Sequence, residues 1–358
     1  MSVLDNLKDY QSVDKENLLK QVEELPLQFE NAHNEVQKVV LPSYFTKVDK
    51  IVMLGIGGSA IAADLTKCLI ERKSSIPVIV CRDYNLPGSI DRNSLVIGNS
   101  YSGNTEETLE TIRQAIQKRA KLVAISTGGE IADMARQYKF PIYLYNYPSE
   151  PRQALGYSFG GILGILNKLA LIDIKENEWK ETVSTLKEIQ KKINPQVVTS
   201  ENQAKQLAIN LHEKIIVTMA SGYLSTVAQR FKTQLNENAK TMAFWEVLPE
   251  ACHNFIIGLD FPENIHQNLF ILMLSSKYDH QRVIVRRKAI SEIFKRSNIA
   301  FDEIQMDLPK SILSEMLSFV YLLDFTSYYL SILNKVDPSP IENIKFLKKR
   351  LEEAKWQK

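Results

Sequence analysis

Short apolar runs alternating with helix-length segments predict an α/β protein built from doubly wound, mainly parallel sheets. Three observations carry that reading. Apolar runs of strand length recur between Lys50 and Tyr145, each separated from the next by a longer amphipathic stretch. A glycine-rich turn follows the first run directly, where a strand would pass into a helix. A second strand–turn–helix start then appears about 160 residues further on, close to one domain length.

Taken in order, Leu7 to Val40 has helical periodicity, with Leu18, Leu19, Val22 and Leu25 spaced for one face. Lys50-Ile51-Val52-Met53-Leu54 is a continuous apolar run of the kind that fills a strand covered on both faces. Pro77–Cys81, Ser94–Gly98, Leu122–Ser126 and Ile142–Tyr145 repeat it, with helix expected at Ala60–Leu65 and Glu106–Arg119. The pattern restarts at Lys214–Thr218, passes through Ala220-Ser221-Gly222-Tyr223 and enters a helix from Ala228. Leu269–Ser275, Val283–Val285 and Ala300–Ile304 are the further strands expected there. The charged stretch Lys175–Pro195 is where the two units are expected to divide, giving domains 1–180 and 190–358.

The chain has 358 residues, 44 % of them hydrophobic, which rules out disorder as its main state. Its 44 basic and 42 acidic side chains leave no positive excess to drive phosphate-backbone affinity, so no nucleic-acid partner is expected. Cys68, Cys81 and Cys252 are too few for a disulfide framework or a four-thiolate zinc site, and they point to a reducing compartment, the cytoplasm. The first residues hold no apolar core of a secretory signal. Gly156–Ile174 and Met316–Leu333 are the most apolar stretches, but Asn167, Lys168 and Asp324 interrupt them. Both read as buried core helices, with no membrane span expected.

Chemistry concentrates at four places. Gly55-x-Gly57-Gly58-Ser59-Ala60 lets the backbone approach an anion and aims free N–H groups at it. The same turn satisfies a loose dinucleotide fingerprint, with Asp83 standing somewhat late for the ribose-holding acid. Ser100-Tyr-Ser102-Gly-Asn-Thr105-Glu106-Glu107 puts three hydroxyls at a strand-to-helix turn, which makes a monophosphate cradle needing neither metal nor lysine. Arg152, after Pro151, reads as a cation for a developing oxyanion. Glu237 and Glu246 are candidate bases, and His253 lies between Cys252 and Asn254. A carboxylate and an imidazole in one cleft divide proton-transfer roles. The other histidines offer no metal-binding spacing, so neither a metal nor a cofactor is expected.

Gly55–Ser59, Ser100–Thr108, Pro151-Arg152, Asn236-Glu-Asn-Ala-Lys240 and Glu250-Ala-Cys-His-Asn254 together resemble the sugar isomerase (SIS) domain superfamily. More narrowly, their order and spacing resemble the bifunctional phosphoglucose/phosphomannose isomerases over nearly the whole chain from Lys50. The resemblance implies two SIS-type subdomains and a homodimer acting on a phosphosugar, with its active site at the domain and subunit interface. It also implies interconversion of glucose 6-phosphate, and of mannose 6-phosphate, with fructose 6-phosphate through an enediolate. Ser100, Ser102 and Thr105 match the sugar-phosphate loop, and Gly58 and Ser59 the first glycine-rich turn. Glu237 matches the base, Arg152 the arginine that stabilises the intermediate, and His253 the ring opener, contributed by the partner subunit. The C-terminal lysine of the family falls on Lys348 within Ile344-x-x-Leu347-Lys348-x-x-Leu351, with Lys349 and Lys345 as alternatives. Two positions depart from the family pattern. Phe255 stands where an acid is expected, and Ser339 in Pro338-Ser-Pro-Ile341 replaces the threonine tied to mannose acceptance. Three other readings stay open: an isomerase of another phosphosugar, a non-catalytic SIS sensor, and a nicotinamide dehydrogenase resting on the fingerprint alone.

Overall fold

The computed structural model describes residues 2–71, 74–262 and 264–354. Helices α1 (Leu7–Val13), α2 (Leu18–Glu23) and α3 (Leu25–Val36) lead in. The first sheet holds β1 (Lys50–Leu54), β2 (Val78–Cys81), β3 (Ser94–Asn99), β4 (Lys121–Ser126) and β5 (Ile142–Leu144). Its connecting helices are α4 (Gly58–Ile70), α5 (Glu106–Gln117) and α6 (Gly129–Tyr138). Then come α7 (Leu155–Lys168), α8 (Glu176–Ile193) and α9 (Gln203–Leu211). The second sheet holds β6 (Ile215–Ser221), β7 (Ala243–Leu248), β8 (Leu269–Ser275) and β9 (Ala300–Gln305). It is accompanied by α10 (Leu224–Glu237), the short α11 (Ile265–Asn268) and α12 (Gln281–Arg296), with α13 (Ile312–Leu333) and α14 (Glu342–Glu353) after β9.

Both sheets are parallel throughout, ordered β2-β1-β3-β4-β5 and β7-β6-β8-β9. In each, the first strand pairs with the second on one side and the third on the other: Met53 with Val80 and Ile97, Met219 with Glu246 and Met273. The direction of winding therefore reverses between β1 and β3, and again between β6 and β8. Such switch points open a crevice beyond the carboxyl ends of the strands, where ligands of this fold class bind.

Helices α3 and α7 pack together through glycines one turn apart. A Cβ on Gly156 would meet Gln28 at 2.5 Å and one on Gly160 would meet Ala32 at 2.8 Å, so only small residues allow the contact. Helix α13 is the spine of the second half, packed on α8, α9 and α10. Long and apolar enough to cross a membrane, it is nearly all buried inside the fold, as expected for the Met316–Leu333 stretch. Its tyrosines bury their rings and still find acceptors: Tyr321 donates to the Glu23 carbonyl at 2.8 Å and Tyr329 to the Ile193 carbonyl at 2.5 Å. Helices α4 and α10 touch, which carries the end of β1 towards the end of α10.

Two local expectations are corrected. Val283–Val285 lies inside α12, because Arg287, Ile290 and Phe294 bury one helical face and leave Val285 half exposed. The fourth strand is instead β7, an edge strand buried only at its ends, Ala243 and Leu248. Helix α10 begins at Leu224, earlier than Ala228. The charged stretch around 175–195 is α8, whose basic residues Lys191 and Lys192 sit in its last turn.

Candidate active site

The first switch-point crevice is built by two loops. After β1 the chain turns through Gly57, at a φ of 58°, and enters α4 at Gly58. A Cβ on Gly58 would stand 3.1 Å from the Arg152 Cα and 3.2 Å from the Pro151 carbonyl. The glycine thus lets this turn lie directly on the arginine loop. Ser59 is buried; its hydroxyl accepts from the Tyr101 amide at 3.4 Å, while its carbonyl accepts from the Asn99 side chain at 3.0 Å. The two loops are stitched together there.

After β3 the second loop folds around Ser100, whose buried hydroxyl pairs with that of Thr105 at 2.9 Å and accepts from the Gly103 amide at 3.1 Å. Thr105 precedes α5 but uses its hydroxyl on Ser100 rather than as a cap, leaving the first-turn amides of α5 without a side-chain partner from it. The Ser102 hydroxyl is exposed and, among the described residues, accepts only from the Asn104 amide. Gly103 has a φ of 69°, and its backbone lies so close to Gly128 that any side chain would collide with the Gly128 carbonyl. The loop is thereby braced from behind by the segment after β4, with Thr127 donating to the Tyr101 carbonyl at 2.7 Å.

Arg152 is the hub. It sits on a short turn, Pro151–Gln153, and is 3 % exposed. Its Nε donates to Asn238 Oδ1 at 2.8 Å, and its Nη2 to the carbonyls of Pro338 at 2.8 Å and Ser339 at 3.2 Å. Nη1 lies 3.0 Å from the Glu150 carboxylate and 3.6 Å from that of Glu237. Glu237 ends α10 and remains about a quarter exposed (27 % for its side chain), so it is paired with a buried cation and still open to the crevice. Behind them Arg230 and Asp324 form a buried pair at 2.6 Å, and Arg230 also donates to the Arg152 carbonyl at 3.1 Å. Lys240 donates to the carbonyls of Glu237 at 2.5 Å and Pro340 at 2.7 Å. Burial, and after it the Arg152 charge, hold the Lys240 ammonium below the ordinary lysine value.

His253 lies elsewhere in the single chain. It ends a short turn after the Leu248–Pro249 bond and is exposed, with no hydrogen bond or ion pair to Arg152 or Glu237 among the described residues. Phe255, where an acid was expected, donates its amide to Asn254 Oδ1 at 2.6 Å. Lys348 lies on α14, which buries none of its residues. On the same helix Lys345 pairs with Glu342 at 3.0 Å, and that bond raises its ammonium above the ordinary value. Glu246, the other candidate base, is on β7; burial, then the nearby Glu250, push its carboxyl up.

Two family models match this chain: the SIS domain over residues 44–157, and the bacterial phospho-glucose isomerase C-terminal SIS domain over residues 200–351. A bifunctional phosphoglucose/phosphomannose isomerase from Caldicellulosiruptor bescii is 37 % identical over 94 % of this chain and the whole of that protein. This chain belongs to the bifunctional phosphoglucose/phosphomannose isomerase family. A second member, from Aquifex aeolicus, is 31 % identical over 92 % of this chain and 99 % of its own length. Among solved structures, a glucose-6-phosphate isomerase like protein from Thermus thermophilus matches with a TM-score of 0.62 and 19 % identity, covering 99 % of both chains. That likeness bears on the fold.

Within this family member, the structure brings together Gly58, Ser59, Ser100, Thr105, Arg152 and Glu237, and sets His253 and Lys348 apart on exposed segments. Sequence reasoning passed over Glu150, Asn238 and the Pro338–Ser339 carbonyls as partners of Arg152. Asn238 and Pro338 stood inside quoted motifs, but an arginine's carbonyl acceptors leave no mark in residue type. Asp83 is absorbed by its own turn, accepting from the Asn85 amide at 3.2 Å. A cavity of about 480 Å³ lined by Arg92, Arg119 and Tyr138 opens at the strand-start edge of the first sheet, away from these residues. The site is located by its chemistry and topology rather than by cavity size.

Proposed function

We propose that this chain interconverts glucose 6-phosphate and mannose 6-phosphate with fructose 6-phosphate through an enediolate. The observation that carries the reading is the contact of Glu237 with the buried Arg152, beside two hydroxyl-rich loops at the switch point. Ser59, Ser100, Ser102 and Thr105 supply hydroxyls for the phosphate, with the first amides of α5 aimed the same way. Glu237 takes the proton from C2 and returns it to C1. Nη1 of Arg152 turns from Glu150 to the oxygen that gains charge, which stabilises the enediolate without a metal. A planar enediolate forgets the C2 configuration, so one base serves both epimers. Ser339, whose backbone already holds Arg152 and whose buried hydroxyl has no partner among the described residues, stands in for the mannose-linked threonine.

His253 opens the sugar ring and Lys348 assists, both reaching the crevice in a homodimer, with His253 supplied by the second copy. The chain on either side of them leaves apolar side chains exposed: Met242 and Phe244 before His253, Ile257 and Phe261 after it, and Phe346 and Leu347 on the helix of Lys348. Such surface is what a second copy covers. The free thiols of Cys68, Cys81 and Cys252 suit a cytoplasmic setting. A coupled assay with glucose 6-phosphate and mannose 6-phosphate in EDTA, run beside Glu237→Gln, tests the reading. Turnover of both sugars that survives EDTA and collapses in the variant is the expected result. Phosphosugar binding without turnover, or turnover of a different phosphosugar alone, would contradict it.

A further inference from the structure

The second switch point, between β6 and β8, repeats the materials of the first. Ser221 ends β6 and Gly222, at a φ of 54°, follows it as the glycine-rich turn follows β1, while Ser275 ends β8 and Ser276 follows it as Ser100 follows β3. Here, however, a carboxylate of the chain bridges the two strand ends themselves. Asp279, with a side chain only 6 % exposed, receives the Ser221 hydroxyl at 2.6 Å and the Ser276 amide at 3.1 Å. The equally buried Arg287 pairs with it through Nη1, while its Nε goes to Glu303 at 3.0 Å. One hydroxyl, one backbone amide and one guanidinium nitrogen thus converge on two carboxylate oxygens, as they would on two oxygens of a phosphate. No role in the isomerisation falls to Asp279, and its backbone reaches this position through a tight turn in which the Ser276 hydroxyl accepts from Tyr278 at 2.9 Å.

We infer that the C-terminal crevice is an oxyanion cradle occupied by the chain's own Asp279, so that each chain has one phosphosugar crevice and a second, self-filled one. The stoichiometric half of this statement rests on the proposed phosphosugar site; the cradle itself does not. Removing the carboxylate frees Arg287 Nη1, the Ser221 hydroxyl and the Ser276 amide together, and leaves Glu303 as the one carboxylate on that arginine among the described residues. A small oxyanion is the ligand that matches three convergent donors.

The test is inorganic phosphate binding to the full-length wild type, Asp279→Ala and the near-isosteric Asp279→Asn, by calorimetry and by thermal melting against phosphate concentration. Asp279→Ala is expected to gain one phosphate per chain over wild type, with a larger phosphate-dependent rise in melting temperature. Asp279→Asn, which keeps the cradle filled, is expected to gain none. If wild type binds no phosphate but Asp279→Ala gains a site, the phosphosugar reading fails and the cradle stands. An Asp279→Ala chain that gains no site, or that stays unfolded even in phosphate, overturns the inference. So does wild type binding two phosphates.

Discussion

Two halves of the proposed catalytic set are placed very differently. Arg152 and Glu237 are fixed from several sides, by Asn238, by the Pro338 and Ser339 carbonyls, and through Arg230 by Asp324. His253 and Lys348 sit on exposed segments, and among the described residues no hydrogen bond or ion pair joins either to the crevice. The difference lies in what each group must do. A base and an oxyanion holder have to be preorganised, because charge appears between them at the moment of reaction. In the proposed dimer, a ring opener and a C-terminal lysine are brought by the second chain. A single chain fixes Arg152 and Glu237 in place and presents His253 and Lys348 outward.

That contrast can be broken first at its strongest point. Glu237→Gln removes the base while keeping shape and hydrogen bonding, so kcat should fall by roughly a hundredfold to ten-thousandfold with KM little changed. Steady-state kinetics on both sugars read it. The support behind Arg152 comes next. Asp324→Asn leaves Arg230 charged, buried and without its carboxylate, and breaking one side of such a pair costs about 3–5 kcal/mol. Denaturant unfolding should show that loss, where a surface pair such as Lys20–Glu24 shows almost none.

Ser102→Ala is the milder probe of the proposed phosphate loop, since the exposed hydroxyl accepts from the Asn104 amide and carries little of the fold. KM for either sugar phosphate should rise about tenfold, the order expected for one hydrogen bond to a charged group, with melting temperature unchanged. The smallest effect concerns Glu315, fully buried beside Tyr223 and Ser276. Burial raises its carboxyl above the ordinary 4.5, the bonds from Ser276 and Tyr223 opposing only in part. An acid whose folded value exceeds its unfolded one holds its proton more tightly when folded. Stability contributed by that proton is therefore lost as pH rises from the unfolded value through the folded one. Glu315→Gln should flatten this slope, and melting curves taken from acid to neutral pH should show the variant gaining on wild type as pH increases.

Much of this was legible in the residues. The two hydroxyl and glycine loops were readable because turns need glycine and phosphate cradles need small hydroxyls, both of which are matters of residue type. Glu237 and Arg152 could be singled out as a candidate base and its cation from the family resemblance. Their contact could not, since it depends on the Pro151–Gln153 turn packing against the end of α10, residues far apart in the chain. Val283-Ile284-Val285 misled because three β-branched residues in a row match a strand by composition, while the burial of Arg287, Ile290 and Phe294 follows a helical period. Strand β7 escaped because an edge strand buried only at Ala243 and Leu248 shows no alternation. Asp279 was invisible as a ligand: its role depends on the Ser276 amide, which every residue but proline possesses.

The most direct test of the divided site is complementation between two inactive chains. Glu237→Gln and His253→Ala are each purified, unfolded together, refolded as a mixture and assayed on glucose 6-phosphate. If His253 reaches the Glu237 of the other subunit, mixed dimers contain one intact site of two, and activity should return to about a quarter of wild type. If the mixture is no more active than its parents while forming dimers, both residues belong to the same chain's site, and the account of a half-assembled crevice completed by a second copy is wrong.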